Sequence, residues 1–313
     1  MIWPFDRGGL VLALYVATLA LHAVFIGYVV AGTAFALLRK DDPIAKTVRD
    51  RLPFMLGCGI TAGVAPLLFL QLLHQTRFYT ANLLLGPRWL AVVPVLIAGF
   101  YALYVQKMSD RWRRPALAIA LACFVFVAWS WSELHELMQA DPLWREFYAA
   151  GDRVYLSASV APRLVVLLGA MATGFAMVAA WSSDGAGRKR LAWLAILSRV
   201  ISTGGAVWLS QTGFTAHGPA LAWVIVLAIA VLVEVGAWAV QLRRPSETAL
   251  GVATAAGTGA LVAAVIVRES PRVALIEPTH QLAADAGGTF VFAIAALLGV
   301  AAIAWVVRIA RAA

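Results

Sequence analysis

Nine apolar runs, each long enough to cross a lipid bilayer as a helix, dominate the sequence. A transmembrane helix needs about 20 residues, and in lipid only helices and closed barrels satisfy their own backbone hydrogen bonds. The pattern therefore predicts an all-α, polytopic transmembrane helix bundle of about nine spans. The runs lie near residues 9–38, 54–74, 89–106, 115–132, 162–181, 191–210, 220–242, 248–267 and 287–307.

Composition agrees with a chain that lies mostly in lipid. Hydrophobic residues make up 62% of the sequence and charged residues 13%, whereas an ordinary soluble domain is about 25% charged. The formal net charge is +9, but the basic residues lie in short connections, where membrane topology accounts for them. We therefore expect a multi-pass protein of the bacterial inner (cytoplasmic) membrane, in contact with lipid and without a nucleic-acid partner.

The distribution of Lys and Arg predicts the orientation of the chain. The connections after the first, third, fifth and seventh runs, together with the C-terminus, hold 16 of the 25 basic residues. The opposite side holds 7, and Arg163 and Arg199 lie inside runs. Because short cytoplasmic connections retain positive charge, we expect the N-terminus outside and the C-terminus inside.

The outer end of the second run is unusually polar for this chain. In the stretch GVAPLLFLQLLHQTRFYTANLLLGPRW, Gln71, His74 and Gln75 follow directly on apolar residues. One interpretation is an ordinary interfacial helix end with aromatic anchors. The other interpretation is a binding site. It is favoured because further histidines are predicted on the same, outer side.

Four of the five histidines are predicted on the outer side: His74, His135, His217 and His280. An imidazole near neutral pH is both a proton acceptor and a ligand, so these side chains are candidates to line a quinol, haem or metal site. Because they lack HxxxH or HExxH spacing, a metal site is weakly indicated. For His217 and His280, solvated loop histidines are an alternative.

The fifth histidine, His22, lies inside the first run, in LALHAVFIGYVVAGTAFALL. An ionisable group at membrane depth is by default a functional hypothesis. The small residues Gly27, Ala31 and Gly32 would let a neighbouring helix or a flat macrocycle approach closely. His22 is therefore a candidate ligand of a haem b iron, and the alternative is a histidine hydrogen-bonded to a facing helix.

Three segments resemble subunit I of the cytochrome bd quinol oxidases. LALHAVFIGYVVAGTAFALL is similar to its first helix, where a histidine ligates a b-type haem, and LGCGITAGVAPLLFLQLLHQTRFYTANLLLGPRW is similar to its second helix and loop. PRLVVLLGAMATGFAMVAAW resembles its fifth helix, so the resemblance covers about the first 180 residues. It implies a bd-like helical region over 1–190 and a second helical region over 191–313, in one membrane domain.

The chain also departs from that family at functional positions. Leu164, Val165 and Val166 follow Arg163 where the family has an axial haem histidine, and the seventh run contains no methionine. Phe69 occupies the position of a family glutamate, and the quinol loop is reduced to QTGFTAHGP. The resemblance then implies haem b on His22, a quinone near Gln71, His74, Gln75 and His135, or no cofactor at all.

Two charges inside runs are expected to pair. Arg199 and Glu234 each lie eight residues from the cytoplasmic end of consecutive runs, at a depth of about 12 Å. Because an unpaired charge at this depth costs several kcal/mol, we predict an Arg199–Glu234 ion pair, which is a structural contact or part of an ion path.

Three function classes remain. The first is a membrane subunit of a respiratory or other electron-transfer complex, which is at most a quinol-oxidising subunit, with catalytic residues unknown. The second is a cofactor-free anchor for a partner such as an extracytoplasmic cytochrome c. The third is a transporter that uses Arg199 and Glu234; the sequence shows no internal repeat to support it.

Overall fold

The computed structural model describes residues 7–151, 153–214 and 220–276, together with isolated positions closer to the C-terminus (294, 297, 298, 301 and 308). Regular structure in these ranges is helical. His217, His280 and most of the predicted ninth span at 287–307 lie outside the described residues.

The described chain contains eleven α-helices and one short 3₁₀ turn, Asp141–Leu143. The α-helices are α1 (Arg7–Leu38), α2 (Pro43–Leu73), α3 (Gln75–Leu85), α4 (Pro87–Leu90), α5 (Val92–Met108), α6 (Arg113–Leu137), α7 (Trp144–Ala150), α8 (Val160–Ala180), α9 (Gly185–Ser210), α10 (Ala220–Arg243) and α11 (Glu247–Val273).

Eight stretches of the described helices are long and apolar enough to cross a membrane. They correspond to the first eight predicted runs, with α4 and α5 together forming the third (Pro87–Met108). The chain is therefore a multi-pass helical protein of the predicted kind. Most helices extend beyond the predicted limits; α2, for example, begins at Pro43 rather than near residue 54.

The chain divides into two compact units, residues 1–13 with 276–313 and residues 14–275. Of the first unit, the structure describes the start of α1 and a few positions near the C-terminus. The second unit contains the remainder of α1 and the helices α2 to α11, and the contacts discussed below belong to it.

Within the second unit, the connections between spans alternate in length. Four of them have only three or four residues: 39–42, 109–112, 181–184 and 244–246. Because so short a connection cannot cross a bilayer, the spans that it joins are antiparallel. We call this side the short-loop end. The connection 74–86 and the described parts of the next two, 138–151 with 153–159 and 211–214, lie on the other side, the long-loop end.

Small residues let the helices approach closely. A Cβ added at Gly169 of α8 would lie 2.9 Å from the Ser198 carbonyl oxygen of α9. A Cβ at Gly205 of α9 would lie 2.8 Å from the Val165 side chain of α8. In lipid, close packing of this kind stabilises helix pairs, so α8 and α9 depend on both glycines.

A side chain compensates for a proline inside α2. Pro53 has no N–H, so the Arg49 carbonyl loses its partner within the helix. Gln106 of α5 is buried and donates its Nε2 hydrogen to this carbonyl at 3.0 Å. The contact ties α5 to the short-loop half of α2.

The Arg199–Glu234 ion pair expected from the sequence is present. Arg199 Nη2 of α9 lies 2.6 Å from Glu234 Oε2 of α10, and the Glu234 side chain is buried. Trp238 donates its indole N–H to Glu234 Oε1 at 3.4 Å. A Cβ at Gly257 of α11 would lie 3.1 Å from the same oxygen. The pair therefore joins α9 to α10 beneath α11.

Replacing Gln106 by Leu should lower the free energy of unfolding by about 1–3 kcal/mol, because the Arg49 carbonyl loses its donor. In a Pro53→Ala background the same change should cost less, since the backbone N–H that the alanine introduces can bond to the Arg49 carbonyl. The unfolding midpoint in an SDS titration measures both effects. An equal loss in the two backgrounds would refute the compensation; Gln75→Leu, at an exposed position, is the control.

Arg199→Glu and Glu234→Arg should each destabilise the protein by about 3–5 kcal/mol, because each leaves two like charges buried. The double variant restores opposite charges and should recover part of this loss. Yield of monodisperse protein and the unfolding midpoint measure the outcome, and a double variant no better than either single one would contradict the pairing. Arg113→Glu, in an exposed pair with Asp110, should change stability by less than about 1 kcal/mol.

Candidate functional site

Polar and charged side chains from four helices gather at the long-loop end. They come from the third turn of α1, the first turn of α8, the last turn of α6 and the last two turns of α11. We call this group the His135 cluster, and its members are Tyr15, His135, Glu136, Arg163, Arg268, Glu269 and Arg272.

On one side of the cluster, Glu269 of α11 is fully engaged. Tyr15 of α1 donates to Glu269 Oε2 at 2.9 Å and accepts from Arg272 Nη2 at 2.9 Å. Arg272 also pairs with Glu269 directly, and Arg268 Nη1 lies 2.6 Å from Glu269 Oε1. The carboxylate and the Arg272 guanidinium are both buried, so these groups form a rigid link between α1 and α11.

On the other side, Glu136 of α6 holds the start of α8. Arg163 and Ser159 both bond to its carboxylate, and Ser157 Oγ lies 2.7 Å from Ser159 Oγ. The Arg163 guanidinium carbon lies 5.2 Å from the centre of the Phe214 ring, in a cation–π contact. Arg163, which the sequence analysis places inside a run, is thus paired.

Between these two groups lies His135, whose side chain has no hydrogen bond within the described chain. The residue is only 1% exposed, and neither Nδ1 nor Nε2 has a partner among the described residues. A buried polar group left without a partner costs about 1–3 kcal/mol. The strongest electrostatic influences on this imidazole come from Arg272, Arg268 and Arg163, followed by His74.

The polar end of α6 is fixed by side chains that bond to its last carbonyl groups. Gln139 donates to the His135 carbonyl at 2.8 Å, Trp144 to that of Leu137 at 2.7 Å, and Arg77 to that of Met138 at 3.1 Å. These donors satisfy carbonyls that a helix end leaves open. Three side chains therefore fix the backbone around His135. The imidazole itself has no hydrogen bond in the part of the chain that the structure describes.

Arg77 also binds a carboxylate outside the spans. Its Nη1 lies 3.0 Å from Asp141 Oδ1, and this hydrogen bonding holds the pKa of Asp141 below its ordinary value. The connection from 138 to 159 is thereby attached to α3.

The other residues predicted around a quinone divide into two groups. His74 is buried at the junction of α2 and α3 and is close enough to His135 for the two side chains to interact electrostatically, so the structure brings these two histidines into one region. Gln71 is half-buried and Gln75 is exposed. Neither glutamine has a hydrogen bond to the cluster among the described contacts.

His22 is bonded to a facing helix. Its Nδ1 donates to the Gly59 carbonyl of α2 at 2.9 Å. A Cβ at Gly63 would lie 2.8 Å from ring atoms Cε1 and Nδ1 and 3.6 Å from Nε2, so the α2 backbone covers this edge of the ring. Gly27 likewise packs on Met171 of α8. This packing fits a helix contact better than a haem ligand, and we derive no function through haem.

Sequence reasoning missed the α11 part of the cluster. The predicted span stopped near residue 267, where the apolar run meets Arg268 and Glu269. The structure continues α11 to Val273, and Ser270 Oγ donates at 2.9 Å to the Val267 carbonyl that Pro271 leaves free. The i, i+3 spacing of Glu269 and Arg272, which suits a helical ion pair, was the available signal.

Within the ranges that the structure describes, no three His, Cys, Asp or Glu side chains are grouped as a metal site. The sequence matches no family model. No curated protein matches it at a significant level.

Proposed function

We propose that the chain is a membrane subunit of an electron-transfer complex and that it binds a quinone at the long-loop end of the bundle, beside His135. One observation carries the proposal: the His135 imidazole is buried and both of its nitrogens lack hydrogen-bond partners among the described residues. Buried polar groups in proteins are nearly always bonded, so we expect this imidazole to bond to a ligand.

A quinone suits the chemistry of this position. A neutral imidazole offers one N–H donor and one acceptor nitrogen, which match the carbonyl oxygens of a quinone and the hydroxyl groups of a quinol. His135 lies two residues from the end of α6, at the level of the membrane interface, so an isoprenoid tail can remain among the apolar helices. The resemblance to cytochrome bd subunit I supports the same ligand class.

The other polar groups have supporting roles in this proposal. Arg272 and Glu269, held by Tyr15, fix the electrostatic environment of the ligand, and His74 lies at its border. Gln71 and Gln75 belong to the entrance rather than to the contact with the ring. The electrons of a quinol would pass to other subunits, such as an extracytoplasmic cytochrome c, so the chain is at most the quinol-oxidising subunit.

A transport function receives less support. The Arg199–Glu234 pair is buried and closed by direct contact at 2.6 Å, which suits a structural ion pair between α9 and α10. A cofactor-free anchor remains the alternative if no quinone binds.

We also propose that the long-loop end faces the outside of a bacterial inner membrane and that a ninth span follows α11. The excess of Lys and Arg on the opposite side supports this orientation.

Binding of a quinone should depend on His135. In nanodiscs, an azido-ubiquinone should label the purified chain on light activation, near the end of α6 or α11, and unlabelled menaquinone or ubiquinone should compete. His135→Leu should weaken competition about three- to tenfold, because one hydrogen bond is lost. Arg190→Gln, in an exposed ion pair with Asp42 at the short-loop end, is the control. Labelling that quinones do not displace, or that His135→Leu leaves unchanged, would contradict the proposal.

The orientation of the chain in the membrane can be measured with single-cysteine variants. The substitutions Cys58→Ala and Cys123→Ala first remove the native cysteines. Gln75→Cys at the long-loop end should react with a membrane-impermeant maleimide in spheroplasts. Arg113→Cys at the short-loop end should react only after lysis. Reaction of both on the same side would disprove the assignment of faces.

A further inference from the structure

The His135 cluster contains more positive than negative charge. Three guanidinium groups, those of Arg163, Arg268 and Arg272, accompany two carboxylates, those of Glu136 and Glu269. The strongest charges acting on His135 are these three guanidinium groups. When His135 is neutral, the cluster therefore carries one uncompensated positive charge, and such a charge is costly beside buried groups such as Arg272 and Glu269.

Neither carboxylate of the cluster bonds to His135, because each is paired with other side chains. Glu269 binds Arg268, Arg272 and the Tyr15 hydroxyl. Glu136 binds Arg163 and Ser159.

A second buried hydrogen-bond donor in the cluster has no acceptor among the described residues. The Arg272 Nε hydrogen is buried and has no partner among the described residues. Arg272 Nη1 also contacts the Met138 sulfur at 3.6 Å. Met138 follows His135 by three positions at the end of α6, and residues at this spacing share a helix face. Arg272 of α11 therefore packs against the face of α6 that carries His135.

We infer that the ligand beside His135 is bound as an anion, through a deprotonated oxygen of a quinol or of a hydroxylated quinone. This oxygen accepts hydrogen bonds from His135 and Arg272 and neutralises the excess positive charge of the cluster. The inference rests on the proposed quinone site and goes further, because it specifies the charge state of the ligand.

The proton balance of this binding is simple. A hydroxylated quinone is already an anion at neutral pH and binds without proton transfer. A quinol must lose one proton to water as its O–H bond breaks, and the electron pair of that bond remains on the oxygen. No electron transfer is part of the step.

Two matched ligands test the charge of the bound form. 2-Hydroxy-1,4-naphthoquinone is anionic at neutral pH, and its methyl ether, 2-methoxy-1,4-naphthoquinone, is neutral at every pH. Displacement of the azido-ubiquinone from the full chain, in phosphatidylcholine nanodiscs, gives the affinity of each. We expect the hydroxy compound to bind about tenfold more tightly, as a hydrogen-bonded charge would provide.

Variants then locate the anion. Arg268→Gln should reduce the preference for the hydroxy compound, and its side chain is 37% exposed, so the fold should tolerate the change. Glu269→Gln should increase the preference, because one negative charge is removed at constant shape. His135→Leu should weaken binding of the hydroxy compound. Arg190→Gln, in an exposed ion pair with Asp42 at the short-loop end, should leave the preference unchanged.

The outcomes separate this inference from the proposed function. Equal affinity for the two naphthoquinones overturns the anionic ligand but leaves a quinone site. A preference that neither Arg268→Gln nor His135→Leu alters also overturns it, because the anion then binds elsewhere. Failure of every quinone to displace the label overturns the proposed function itself.

Discussion

The buried carboxylate of Glu269 is the interaction on which the long-loop end depends. It binds two guanidinium groups of its own helix and the Tyr15 hydroxyl of α1, and so attaches the first span to the eighth. A carboxylate in this setting is tolerated only with such complete pairing. The pairing in turn holds Arg272 against Met138, next to His135. The position of Arg272 beside the end of α6 thus depends on one acidic residue near the end of α11.

Much of the architecture follows from hydrophobicity alone. Eight of the apolar runs are helices of spanning length, because lipid leaves the backbone few other solutions. Arg199 and Glu234 meet because antiparallel neighbours bring equal depths together, which spacing in the sequence already indicates. His135 belongs to the predicted site, but its complete burial depends on how α1, α8 and α11 pack around α6. Periodicity within one helix contains no information about that packing.

His22 is a second residue whose role depends on a contact between helices, which the sequence does not show. Its depth in α1 is visible in the sequence, whereas the Gly59 carbonyl that accepts its hydrogen bond is 37 residues away on another helix. Helix α11 was underestimated because the predicted span ended with the apolar run, although the helix continues to Val273 and its Glu269 accepts a hydrogen bond from Tyr15 of α1. In both cases a partner outside the local pattern decides the role of the residue.

The alternation of short and long connections also constrains how the bundle can deform. Links of three or four residues hold neighbouring spans together on one side, so a tilting helix must pivot near that side. Its displacement grows with distance from the pivot and is largest at the opposite rim. Apart from α1 and α11, which the Glu269 pairing joins, the spans are therefore expected to separate most at the long-loop end and least beside Gln106.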